Sequence, residues 1–360
     1  LSVFISIFIG AGIAWAQTIT LPHTFVPHTP ARADDVNANF AELQTHLEWA
    51  IERIYALEAK LAYMTVNYYE INGVAGPHVI FEGANVHVRS GSGYTDDDDS
   101  LTGVGNLIVG YNEEPPVYVE GRGGSHNLIL GSENEFASFG GSVAGNQNAI
   151  SGPFATVAGG RYNTASAIYT SVGGGAINTA KGLYSYVAGG VNNTATGSDS
   201  SIIGGYLNLA SGDRSSIIGG YDNTAGGEFS SVSGGQYNIA TGVYSTVSGG
   251  VSNTAGGEYS SISGGALNTA SGIFSSVSGG HDNTASGESS SVSGGGDNTA
   301  SASVSSVSGG KYNIASSFYS SAGGGYSNTA SGDSSGVSGG YQRSATGYLD
   351  WVAGGLFQEQ

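Results

Sequence analysis

The sequence predicts an all-β fold, a parallel β-roll or β-solenoid with 15-residue coils, preceded by a short coiled-coil helix. Three observations predict it. From about residue 154 to 356 the chain repeats every 15 residues without a slip, as in NTAGGEYSSISGGAL (253–267) and NTASGIFSSVSGGHD (268–282). A Gly-Gly pair at 159–160 recurs in all 14 turns to 354–355. The column that begins at Val157 holds Val or Ile in 13 of 14 positions, with Ala322 the exception. A fixed short period with small and β-branched columns is the signature of stacked coils, each of which cannot bury its apolar face alone.

The remaining columns support the same reading. The series from Ala165 is Ala in all 13 positions, that from Asn163 is Asn in 12 of 13 (broken by Arg343), and that from residue 167 is Gly in 10 of 13. Val and Ile suit a pleated strand and stack on their equivalents one coil away. The glycines are expected to supply turns with positive φ, and Asn to tolerate the left-handed region and to form a side-chain ladder.

Composition narrows the class. Gly numbers 62 of 360 residues, against a usual share of about 7%. Collagen needs Gly at every third position and far more than 7 Pro. A disordered low-complexity chain would not hold 14 registers. Lys and Arg total 10 against 28 Asp and Glu, a net charge of −18, which excludes a backbone-driven nucleic-acid partner. Cys is absent, so no disulfide framework or Cys-based metal site exists.

In chain order, residues 1–16 read as a signal peptide: the apolar run VFISIFIGAGI ends in Ala14-Trp15-Ala16, an A-x-A cleavage pattern before Gln17. The run is too short for a membrane span. The expected protein is therefore secreted or at the cell surface, with no membrane span in the mature chain. Residues 17–35 form a Pro- and Thr-rich linker, with Asp34 or Asp35 as expected N-cap. Residues 36–66 carry apolar positions in steps of four and three from Val36 to Met64. That a/d stripe wants partner helices, and Phe40, Leu43, Leu47, Ile54, Leu57 and Leu61 are the candidate trimerisation residues. Residues 67–148 read as irregular first coils that cap the roll and widen it from the bundle. Residues 149–356 form the regular roll, and 357–360 a tail.

One Val or Ile and one Ala per coil make a thin core. A second face is expected to be buried by oligomerisation, with Ser276 and Ser278 on the side opposite Val277. A monomeric roll with a hydrated Ser face is the alternative. The columns of residues 161, 162, 168 and 169 vary freely and collect the aromatics, so they are placed at the outer turns. Tyr184, Phe229, Tyr244, Tyr259, Phe274 and Tyr319 are the candidate ligand-contacting residues, as sugar-stacking or protein-contact platforms.

At these columns the chain resembles the YadA-like heads of trimeric autotransporter adhesins, across roughly residues 125–356. The resemblance rests on the Val/Ile series from Val157, the Ala series from Ala165 and the turn glycines. It implies a left-handed parallel β-roll, three chains side by side, and adhesion as the activity. It does not extend to the family's C-terminal membrane-anchoring barrel, and here the helix precedes the roll. The helix-first layout, with PARADDVNANF, is also similar to phage-type or secreted trimeric fibres.

Asp96, Asp97, Asp98 and Asp99 are the densest charge in the chain and a candidate Ca²⁺ site, the one cofactor considered. EF-hand spacing is absent, and a solvated acidic loop is the competing reading. No catalytic constellation is expected, since abundant Ser lacks a positioned base and orienter. The expected function is that of a homotrimeric adhesin-like fibre that binds a cell surface, matrix protein or glycan through the outer turns. A passive structural filament or phage-type fibre is the first alternative. Ice binding through the Thr column from Thr164 (9 of 13 positions) is the second.

Overall fold

The computed structural model describes residues 19–114 and 121–353. The expected signal peptide and the 357–360 tail lie outside the described residues. The chain divides into two compact units, residues 1–87 and 88–360.

In the first unit, α1 spans Ala33–Lys60. Its N-cap is Arg32, so Asp34 and Asp35 lie inside the first turn, where their charge meets the positive end of the helix dipole. The residues before α1 are tied to it rather than free: the Asn39 side chain accepts from His23 N at 2.9 Å and donates to His23 O at 2.7 Å. Asn39 is the buried residue of this helix. α1 ends six residues short of the expected 66. Leu61 is its C-cap, and Met64 instead opens β1 (Met64–Asn67), which pairs antiparallel with β2 (His78–Phe81). No helix among the described residues is long and apolar enough to cross a membrane.

The second unit is a parallel β-solenoid. Each regular coil contributes two-residue strands to two stacked sheets. One sheet carries the Ser-Val/Ile pairs, as Ser276 and Val277 pairing with Ser261 and Ile262 on one side and Ser291 and Val292 on the other. The other carries the Thr-Ala pairs, as Thr269 and Ala270 pairing with Thr254 and Ala255. Residues 15 apart are therefore in register and about 4.8 Å apart. The Val/Ile and Ala columns point inward and are fully buried.

The first coils are shorter. In β4 (Leu128–Ser132), Leu128 pairs with Ser142, a step of 14 residues, and the 15-residue step begins where Ala149 pairs with Thr164. The roll itself starts at β3 (Leu107–Val109), which pairs with β4. Thus part of the 67–148 stretch does form imperfect coils, whereas residues 64–81 belong to the hairpin of the other unit.

The Asn column sits elsewhere than its left-handed propensity suggests. Its members are buried, and each bridges three coils. Asn283 Nδ2 donates to Gly279 O at 2.9 Å and Gly295 O at 3.0 Å, while its Oδ1 accepts from Asn298 N at 3.1 Å. The ladder expected from the sequence therefore exists, and it satisfies backbone groups that the tight turn leaves unpaired. It reaches back through Asn148 and Asn134 to Asn112, and it closes on the backbone N–H of Arg343.

Glycine acts through two different constraints. Gly265 has φ of +86°, and a Cβ there would lie 2.2 Å from Gly280 O. Gly257, in the column beginning at 167, has no positive φ, contrary to expectation. It is Gly because a Cβ would lie 2.0 Å from Gly272 O in the next coil.

Candidate functional site

The left-handed turns belong to the variable columns. Tyr259 has φ of +56° and Leu267 +58°, and the same sign recurs at the matching positions of the other coils. An L side chain in this region costs on the order of 1–2 kcal/mol. Backbone pairing between coils enforces it: Tyr259 N donates to Val243 O at 2.9 Å, and Leu267 N to Val251 O at 3.0 Å. The variable columns thus form the two outer edges of the roll, as predicted, and their side chains are exposed.

Rings at one edge stack on their equivalents. Phe229, Tyr244, Tyr259 and Phe274 form a continuous ladder with centroids 4.6, 5.0 and 4.9 Å apart and planes within 7°. Phe154, Tyr169 and Tyr184 form a second, at 5.0 and 5.4 Å. A stacked aromatic pair adds roughly 0.5–1.5 kcal/mol beyond area burial, so a ring with two neighbours offsets its backbone cost. The opposite edge carries shorter stacks, Tyr206–Tyr221 at 5.5 Å and Tyr326–Tyr341 at 5.4 Å.

Of the six expected ligand-contacting residues, the structure brings Phe229, Tyr244, Tyr259 and Phe274 together. Tyr184 ends the other ladder, and Tyr319 stands apart, edge-to-face on Phe318 at 4.3 Å. Stacking changes what these rings offer. Within a ladder both faces are covered by neighbours, so an inner ring exposes its edge and hydroxyl rather than a platform for a sugar. Even the outer face of Phe229 is covered, by Arg214, whose guanidinium lies 5.0 Å from the ring centroid. Sequence reasoning passed over Phe154 and Tyr169 as site members. Consecutive aromatics at 15-residue spacing in one column are the signal that finds them.

The six trimerisation residues are all exposed in the single chain, with Phe40 at 66% and Leu47 at 61%. Leu61 lies at the helix end as its C-cap.

The four aspartates do not converge. Asp97, Asp98 and Asp99 all have positive φ, and the turn sends them in different directions. Asp98 and Asp99 are exposed, whereas the Asp97 side chain is fully buried. It accepts from Ser90 Oγ at 2.5 Å, Ser92 Oγ at 2.8 Å, Thr102 Oγ1 at 2.6 Å and Thr102 N at 2.9 Å. Hydroxyls of Ser125, Ser90 and Thr102, in that order, hold its carboxyl well below the usual carboxylate range, against an opposing push from burial. His126 lies beside it: Nε2 accepts from Ser90 N at 3.0 Å, and Nδ1 lies 2.8 Å from Thr95 O, which fits an Nδ1–H donor. The cluster seals the loop against the first coils. Among the described residues no group of three or more His, Asp or Glu is placed to hold a metal ion.

The Thr face is richer than a single column. Thr269 and Ser271 flank the buried Ala270 and share the outward face, so hydroxyls are paired across the strand. Leu209, Ile239 and Ile314 interrupt the face as exposed apolar side chains.

No protein-family model matches the chain, and no curated protein is significantly similar to it.

Proposed function

We propose that this chain is a secreted, homotrimeric adhesin-like fibre that binds a cell surface, matrix protein or glycan along the edge of its roll. The observation that carries the proposal is the exposed ladder Phe229–Tyr244–Tyr259–Phe274, a straight ridge roughly 15 Å long at about 4.8 Å per coil. Ring edges and phenol hydroxyls along the ridge suit a flat protein or polysaccharide surface better than a single sugar ring inserted between rings. Trimerisation is assigned to the exposed a/d stripe of α1, which has no partner within the chain's own helices.

The test replaces all four ladder rings with Ser and compares adhesion to cells, matrix proteins and polysaccharides with that of the parent protein. The proposal expects a folded variant that no longer adheres. Unchanged adhesion removes the ridge from the mechanism. The stacking also favours a second reading, because rings that cover one another's faces stabilise a rod without any ligand. A protein that polymerises but adheres to none of these surfaces is a passive filament or phage-type fibre.

A further inference from the structure

The ladders have a chemical property that is independent of adhesion. In the four-ring ladder the two central rings are phenols, and both end rings are Phe. Tyr244 and Tyr259 are therefore the oxidisable members, they are neighbours at 5.0 Å, and their planes differ by 2°. Both are close to half exposed, at 43% and 44%. The other ladder repeats the arrangement: Phe154 ends it, and Tyr169 and Tyr184 are adjacent at 5.4 Å with planes 7° apart. Each pair joins two successive coils that are otherwise held by hydrogen bonds and a thin core, in a chain with no Cys.

We propose that Tyr244 and Tyr259 form a site of oxidative cross-linking, at which a haem peroxidase using hydrogen peroxide joins the two phenols into a dityrosine between coils. Each phenol gives up one electron and its hydroxyl proton, which leaves two phenoxyl radicals. The radicals combine by forming a C–C bond between the ring carbons ortho to oxygen. Each ring then moves the proton from its bonded carbon to its own oxygen and becomes a phenol again. The protein loses two hydrogen atoms in all, and one peroxide is reduced to two waters. The side chains stand at an exposed turn, so the rings can pivot from face-on stacking to the edge-on approach that the bond requires. The flanking Phe rings have no O–H to lose, which confines coupling to the pair. The product is a covalent staple where a disulfide cannot form.

The test treats the purified full chain with peroxide and peroxidase. Dityrosine fluorescence, denaturing gels and mass mapping after digestion at glutamate, with Glu258 between the two residues, then locate the products. The proposal expects a joined 244–259 species, lighter by two hydrogens, at the single-chain position on the gel. It expects that species to vanish in Tyr259→Phe while the Tyr169–Tyr184 product persists, and to be replaced by scattered products when the chain is oxidised in denaturant. Tyr69 and Tyr111 are 82% and 93% exposed and stack on no ring among the described residues. Coupling at those two as readily as at the stacked pair, or products mainly between chains, overturns the proposal.

Discussion

The regular coils after Ala149 and the entrance segment from Val88 to Asn148 bury polar groups in opposite ways. In the coils one neutral device is copied: an Asn takes up backbone groups of its own coil and of both neighbours, 15 residues at a time. At the entrance there is no previous coil to copy from. A single buried carboxylate, Asp97, gathers the hydroxyls and amide of a loop that has no repeat. A repeat thus satisfies itself only in its interior, and its first end needs residues used once. The first device is insensitive to pH, and the second depends on a charge.

The comparison breaks first at the ladder. Asn283→Leu leaves Asn298 N–H and the carbonyls of Gly279 and Gly295 without partners. At about 1–3 kcal/mol for each buried unpaired group, the loss is expected to total about 3–5 kcal/mol. Hydrogen exchange checks it, with opening centred on the coils that flank residue 283 and little change near residue 172. A loss spread evenly over the roll contradicts the local account.

The two glycines of one turn form a smaller contrast. Gly265→Ala meets both a positive φ and a carbonyl 2.2 Å away, and it is expected to cost about 2 kcal/mol or more. Gly264→Ala meets open space within the chain and is expected to cost under about 1 kcal/mol in denaturant unfolding. Equal losses point to another chain abutting Gly264.

At the entrance the expected effect is a pH dependence. Asp97 has its pKa depressed in the folded state, so the unfolded state binds the proton more readily. Its stabilisation is complete above the ordinary Asp value of about 3.9 and fades as pH falls below it toward the folded value. Exchange of the Thr102 amide, which donates to Asp97, is expected to accelerate in that acid window relative to ladder amides. Asp97→Asn is expected to speed that exchange at neutral pH and to flatten its pH dependence. An unchanged acid profile in the variant contradicts the assignment.

The smallest effect concerns the variable edge. Ser289 has φ of +54° and no ring to stack. Ser289→Gly relieves about 1–2 kcal/mol of backbone cost but adds about 0.5–1 kcal/mol of unfolded-state entropy, so a net gain of about 0.5 kcal/mol is expected in thermal unfolding.

How much was legible follows the same division. The period, both strand columns and the edge position of the aromatics could be read directly, because each is repeated 13 or 14 times. The conformation of the edge could not: nothing local makes Tyr259 left-handed, and the backbone bond to Val243 in the preceding coil does. For the same reason the place of Asn was misjudged, since its own propensity fits a turn whereas stacking puts it inside. The reason for Gly257 lies in the neighbouring coil, 15 residues away. The entrance offered no columns to compare, so Asp97 looked like one of four equivalent acids. The helix end was hidden because the a/d spacing of Leu61 and Met64 runs on past the last helical residue, Lys60.

Sedimentation equilibrium of the purified protein tests the central claim most directly. The exposed stripe of α1 and the thin core of each roll call for three chains in one fibre, so the expected mass is three times that of a single chain. A mass equal to one chain, with the roll still folded, would contradict the account.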